Sequence, residues 1–346
     1  MDPVTLRSEI STLIEGALRE LLPDGRFPVQ VSASRNPDFG DLSCQVAMQL
    51  ARELGKPPIR IAEEIAGRIA ADLPEGTAVS IAAPGFLNFT LSAGYLASVL
   101  YGIATEGLGQ YIPAPGSGMK ALVEFVSSNP TGPLTVGHCR QAVLGEAVSR
   151  LLETLGWAVE REYYFNDTGR QMELLGESLS ARYEELLGRP LKIPEGGYQG
   201  EYLAKWASDL RQEKGDGLHW ETDGDSFIGY ARDRAMNLIR SDLDLMGIEF
   251  DRFFRESELI PRKVEETIAL LRGLQTGEGS LVYEEDDRLL LRLTALGRPV
   301  DRVIVRDNGM YTYRMPDIAY HLDKFRRGYD LIVDVSGPIT WTPAAT

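Results

Sequence analysis

The chain has 346 residues, 43% hydrophobic content and a net charge of -15 at pH 7, which is enough apolar material for two or three cored domains and excludes a disordered tail. That charge excludes a protein coated in basic surface, yet a local basic groove on an acidic chain leaves a nucleic-acid partner open. Cys44 and Cys139 lie far apart and fit no metal-ligand spacing, so a reduced protein without a metal site is expected. Met1-Asp2-Pro3-Val4 begins no basic-then-apolar leader, and no run approaches the roughly 18 apolar residues of a membrane span. A cytoplasmic protein is therefore expected.

Val4, Ile10, Leu13, Ile14, Leu18 and Leu21 recur at helical spacing and predict an amphipathic helix over 4–22. A second helix is expected from Ser43 to Leu54, after the turn Pro37-Asp38-Phe39-Gly40-Asp41, and a third from Ile59 to Leu73. Ala78–Ala83 and Phe86–Leu91 read as short strands around Pro84-Gly85, and a helix near Ala93–Ile103 closes a small α+β unit. The Pro/Gly-rich link at 113–118 is a natural boundary, which places a first domain at 1–112 and a second at 119–346.

Beyond the link, Ala121–Val126 is expected as a buried strand and Gly137–Leu155 as a helix with an apolar face at Ala142, Leu144, Val148, Leu151 and Leu155. Val159–Phe165 returns as a strand, so the three make a β-α-β unit with a parallel sheet and a right-handed crossover. Residues 168–300 are helical and polar and read as an insertion, with loops at Pro194–Gly197 and Lys214–Asp225. Arg302–Arg306 and Asp330–Val335 resume as strands, and a helix spans Pro316 to Arg326 between them.

The loop Ser127-Ser128-Asn129-Pro130-Thr131-Gly132-Pro133-Leu134-Thr135-Val136-Gly137-His138 delivers a histidine to a helix start, where unpaired N–H groups and partial positive charge suit a nucleotide phosphate. His138 there suits donation to a phosphate oxygen during attack on an α-phosphorus. Gly137 leaves bare backbone for an adenine ring, and Thr135 offers a hydroxyl donor without positive charge. Glu124, Asn129, Tyr313 and Asp317 are expected to meet above the strand C-termini, where carboxylates suit a planar guanidinium. Asn166, Asp167 and Gln171 form a secondary set with a strong helix-capping reading, and Tyr163-Tyr164-Phe165 reads as core.

The loop ending in Thr135-Val136-Gly137-His138 resembles the His-x-Gly-His signature of class I aminoacyl-tRNA synthetases, with Thr135 in the first histidine position. The ordered words Arg35–Asp41, Ala83–Phe89, Tyr163–Gln171, Leu243–Phe250 and Tyr313–Phe325 are similar to arginyl-tRNA synthetases in particular. The resemblance implies a Rossmann-like α/β catalytic domain with a helical insertion at about 168–300, preceded by an α+β domain that touches the outer corner of tRNA. It implies an arginine–tRNA ligase, with Glu124, Ser127, Asn129, Tyr313 and Asp317 on arginine, Gly137, His138 and Thr135 on ATP, and Mg2+ accompanying ATP. A monomer is the expected state. No protein nucleophile is required, because positioning and electrostatics carry such chemistry.

Where the family shows Gly-Ala-Asp-His after the last strand, this chain has Ser336-Gly337-Pro338-Ile339-Thr340, and codons for Gly337–Thr340 can spell Ala-Asp-His in another frame. A truncation before the second signature loop and the anticodon-binding domain is thus expected, with impaired turnover. The alternative is a non-catalytic tRNA-binding paralogue.

Overall fold

A computed structural model describes residues 3–23 and 28–336, so Gly337–Thr340 lies outside the described residues. The chain separates into two compact units, Met1–Ala114 and Pro115–Thr346.

In the first unit, α1 (Pro3–Leu21), α2 (Val46–Leu54) and α3 (Pro58–Ile69) pack on a four-stranded antiparallel sheet of β1 (Val31–Ala33), β2 (Leu42–Cys44), β3 (Thr77–Ala82) and β4 (Phe86–Leu91), in the order β1-β2-β4-β3. Leu6, Ile10 and Ile14 of α1, Leu50 of α2, Ile61 and Ile65 of α3, and Leu87 and Phe89 of β4 form its core. The helix expected from Ser43 begins only at Val46. Leu42 and Cys44 alternate inward as β2 and pair with Phe89 and Leu87, so the sheet takes these residues first. Ser92 caps α4 (Ala93–Glu106) by accepting the Tyr95 N–H at 3.0 Å.

The second unit is built on a parallel sheet of β5 (Lys120–Phe125), β6 (Ala158–Phe165), β7 (Arg252–Arg255) and β13 (Leu331–Val335), ordered β13-β5-β6-β7. The helix α5 (Val136–Thr154) connects β5 to β6. Its buried residues are Ala142, Gly145 and Ser149, while Leu144 and Leu151 are exposed. Of the expected face, Ala142 is buried and Val148 packs half-buried on the core, whereas Leu144 and Leu151 point to solvent. The helix buries its small-residue face because a Cβ on Gly145 would lie 2.1 Å from the Phe125 ring, a separation only glycine permits.

The segment 168–300 holds α6 (Arg170–Leu186), α7 (Glu201–Lys214) and α8 (Trp220–Leu245), around a core of Leu175, Tyr183, Trp206 and Phe227. It is not wholly an insertion, because β7 within it is a strand of the parallel sheet. Arg252-Phe253-Phe254-Arg255 is too short and too charged at its ends to signal a buried strand. The loop expected at Lys214–Asp225 is shortened by α8, which starts at Trp220.

After α9 (Arg262–Gly273) come the hairpin β8 (Gln275–Thr276) with β9 (Gly279–Ser280), and an antiparallel sheet of β10 (Val282–Glu285), β11 (Arg288–Leu291) and β12 (Arg302–Val305). Arg302–Val305 thus forms a strand, but it pairs with β11 and does not resume the parallel sheet. The helix α10 (Arg314–Arg326) leads to β13, whose residues pair in parallel with β5 from Leu331–Ala121 to Val335–Phe125. No helix among the described residues is long and apolar enough to cross a membrane.

Candidate active site

All four parallel strands end on one edge, and the chain leaving β5 there adopts an unusual turn. Val126 and Ser127 have φ of 66° and 43°, two successive left-handed residues without glycine, a conformation held only where neighbours over-determine it. The neighbours are hydrogen bonds. Ser127 Oγ donates to Glu124 Oε1 at 2.7 Å and accepts the Tyr164 N–H at 3.1 Å. The buried Tyr163 hydroxyl donates to the Ser128 carbonyl at 2.8 Å. Asn129 Oδ1 accepts the Asn166 N–H at 3.0 Å and its amide donates to Gln171 Oε1 at 2.6 Å, so the loop after β5 is tied to the end of β6.

Thr135 is the N-cap of α5. Its hydroxyl oxygen accepts the His138 N–H at 3.4 Å and lies 3.2 Å from His138 Nδ1, which also accepts the Thr135 N–H at 3.2 Å. Because Nδ1 accepts a backbone N–H, the ring proton of a neutral His138 belongs on Nε2. The Thr135 hydroxyl expected to face a ligand is turned into its own helix cap. Gly137 has a different environment: a Cβ there would meet only Thr135 Oγ1, at 3.6 Å, so packing within the chain does not demand glycine.

Glu124 leaves the end of β5 largely buried. Its Oε2 takes a hydrogen bond from Lys324 Nζ, and Lys324 also donates to Asp334 Oδ1 at 2.5 Å. Burial pushes the Glu124 carboxyl above the usual carboxylate range, with Lys324 and Ser127 pulling it back. His321 lies 3.6 Å from Asp317 and 3.7 Å from Asp334. A cavity of about 250 Å³ opens here between Glu124, Ser127, Gln141 and Asp334.

A second acidic wall stands on Tyr164, which stacks on Tyr320 with centroids 4.4 Å apart and donates its hydroxyl to Glu256 Oε2 at 2.7 Å. Burial, then the charges of Glu256, Asp317 and Glu124, hold that hydroxyl protonated. Glu256 is pushed up by burial, and by the charges of Asp167 and Asp317. No lysine, arginine or histidine lies within ion-pair distance of Glu256 among the described residues. Asp167 is spoken for, since it accepts the Ser257 N–H at 3.0 Å and the Ser257 hydroxyl at 2.7 Å. Asn166 accepts the Thr168 N–H at 2.8 Å, a local turn.

The structure thus gathers Glu124, Ser127, Asn129, Asn166 and Gln171 directly, and brings Asp317 within electrostatic reach of Tyr164. Tyr313 stands exposed, its ring under the Arg314 guanidinium at 4.5 Å, and no hydrogen bond joins it to Glu124 among the described residues. Sequence reasoning missed Glu256, Lys324, Asp334 and His321. Glu256 directly follows β7, so the rule that open sheets bind ligands at strand C-termini finds it once β7 is known as a strand.

An open parallel sheet with a capped loop-helix and an acidic cleft at its strand ends is the arrangement in which α/β proteins place ligands. Residues 8–91 match the family profile described as arginyl tRNA synthetase N terminal domain, and residues 108–335 match that of tRNA synthetases class I (R), catalytic domain. The chain belongs to the arginyl-tRNA synthetase family of class I synthetases. It is 38% identical to an arginine–tRNA ligase of Desulfotalea psychrophila over 96% of this chain and 60% of that protein. It is 39% identical to one of Thermotoga maritima over the same shares. The chain therefore spans about 60% of the length of these relatives. Among solved structures, the Thermus thermophilus arginyl-tRNA synthetase aligns at TM-score 0.58 and 25% identity, covering 92% of this chain and 53% of that one. The Plasmodium falciparum enzyme aligns at TM-score 0.66 and 17% identity, covering 96% and 59%.

Proposed function

We propose that this chain carries the amino-acid and ATP sites of an arginine–tRNA ligase. The observation that carries the reading is the acidic cleft of Glu124, Glu256 and Asp317 around Tyr164, one loop away from His138. Glu124 is largely buried, Glu256 is half-buried and Asp317 is exposed at the rim; carboxylates lacking a full set of cations in the chain suit a cationic guest, and a planar guanidinium engages two of them at once. Glu124 and Asp317 would hold the guanidinium with Glu256, while Ser127 and Asn129 shape the turn on which the backbone of arginine rests. Tyr313 would close over the cleft from the start of α10.

The arginine carboxylate attacks the α-phosphorus of ATP, forming the adenylate and releasing pyrophosphate. A terminal ribose hydroxyl of tRNA then takes the arginyl group and releases AMP. His138 Nε2–H would donate to a phosphate oxygen as charge builds, Gly137 would admit the adenine ring, and Thr135 would act through the cap that orients His138. Magnesium enters with ATP as part of the substrate. In the first unit, a cavity of about 570 Å³ lined by Arg35, Asn36, Phe39 and Asn88 offers an aromatic ring and amides suited to a single nucleobase, which supports contact with tRNA there.

Arginine-dependent exchange of labelled pyrophosphate into ATP tests the reading on the purified chain. Exchange with arginine, and none with lysine, is expected. Equal exchange with lysine, or arginine binding unaffected by Glu124→Gln, would overturn it.

A further inference from the structure

A third cavity, of about 330 Å³, lies at the C-terminal ends of β6 and β7, and it is mainly basic. Arg232 and Arg240 face it from α8, eight residues apart and therefore on one side of the helix, and Arg255 enters from the last residue of β7. The Arg240 guanidinium carbon sits 4.4 Å from the centre of the Phe253 ring, which holds the fork flat while its N–H edges stay open. Arg232 is held by Asp233 at 2.9 Å. Neither Arg240 nor Arg255 has a carboxylate within ion-pair distance of its side chain among the described residues. With 51 acidic residues against 36 basic ones, two such cations in one cavity are out of character for this surface. The lining also holds an amide, Asn237, and one carboxylate, Asp233, which is paired with Arg232.

Uncompensated arginines over an aromatic floor recognise phosphate. The cavity's position says which phosphate. It lies on the sheet edge that also carries the His138 loop, two strands from β5, or about 10 Å at ordinary strand spacing. We propose that this cavity binds backbone phosphate of the RNA strand whose 3′ end enters the Glu124–His138 site, with Arg240 and Arg255 as the contacts. The proposal rests on the arginine–tRNA ligase reading above. A free nucleotide offers the same phosphate chemistry, and the test separates the two.

The experiment titrates the full chain with an arginine tRNA transcript at several salt concentrations, and separately with ATP and with arginine. It compares the unsubstituted protein, Arg240→Ala, Arg255→Ala, the double variant, and Arg272→Ala as an exposed arginine elsewhere on the same unit. The double variant is expected to lose about 10- to 100-fold in tRNA affinity, and its salt slope to fall by about one to two, while Arg272→Ala changes neither. ATP and arginine affinities stay as they were. Unchanged tRNA affinity and slope in the double variant would overturn the proposal while arginine binding leaves the site reading standing. A matching loss of ATP affinity would overturn it in favour of a free-nucleotide site. An unsubstituted chain that binds neither arginine nor tRNA would overturn both readings. Both arginines are solvent-facing, so unfolding midpoints should agree across the series.

Discussion

Lys324, fully buried on α10, places its ammonium between Glu124 and Asp334, and those two carboxylates stand directly opposite each other on the neighbouring strands β5 and β13. Like charges in register across a sheet repel, so the strand pair is stable because a cation from the helix sits between them. The same contact shapes the proposed arginine site. One Glu124 oxygen is taken by Lys324 and the other accepts from Ser127, so a guanidinium must use the remaining lone pairs from the cavity side.

Lys324→Met should therefore destabilise the second unit by about 3 kcal/mol, the usual cost of stranding a buried charge. Denaturant unfolding followed by tryptophan fluorescence would read it. Asp334 is part-exposed, so Lys324→Met with Asp334→Asn should recover only part of the loss, and Glu124→Gln added to Lys324→Met should recover more. Equal recovery by the two changes would show that Lys324 acts through Asp334 as much as through Glu124.

Glu124 and Glu256 are both pushed above ordinary carboxylate values, by burial first in each case. A carboxyl raised on folding binds more protons folded than unfolded, so between about pH 4.3 and its raised value each group makes stability fall as pH rises. Arginine binding runs the other way, because the guanidinium selects the ionised forms. Affinity for arginine should weaken on acidification at a higher pH than for a surface carboxylate, and binding there should release protons. Calorimetry in two buffers of different ionisation enthalpy measures that release; a proton count of zero throughout the acid limb would count against these two groups as the guanidinium partners.

Local pattern reached most of the frame and little of the charge network. The β-α-β unit was legible because Ala121–Val126 is a mostly apolar run and Val159–Phe165 closes on the aromatic Tyr163-Tyr164-Phe165, on either side of a long helical segment. The orientation of α5 was not, since its leucines outvote its small residues in any periodicity count, although close approach to Phe125 selects the small face. Lys324 meets Glu124 across 200 residues and Tyr164 meets Glu256 across 92, and neither pairing leaves a local trace. Thr135 reads in the sequence as a hydroxyl donor toward a ligand, whereas threonine before a helix is an N-cap by ordinary preference, and that role is the one the fold uses.

Gly145→Ala should cost about 1–3 kcal/mol, because the added methyl runs into the Phe125 ring and forces either the helix or the ring to move. Phe125→Leu in the same chain should restore part of that loss. Thermal unfolding of the single and double variants decides it, and an unchanged midpoint for Gly145→Ala would mean the helix has slack against the sheet.

Gly137→Ala should do the opposite, and the contrast separates packing from binding. Its methyl meets only Thr135 Oγ1 at ordinary van der Waals distance, and alanine is the better helix former by up to about 1 kcal/mol, so stability should hold or rise. If an adenine ring lies against this backbone, the same methyl occupies its place, and ATP affinity should fall by at least about tenfold, some 1.4 kcal/mol. Titration with a fluorescent ATP analogue, beside an unfolding curve, gives both numbers on one preparation. A stable variant with undiminished nucleotide affinity would move the adenine away from Gly137 and leave the glycine without a role in either the fold or the site.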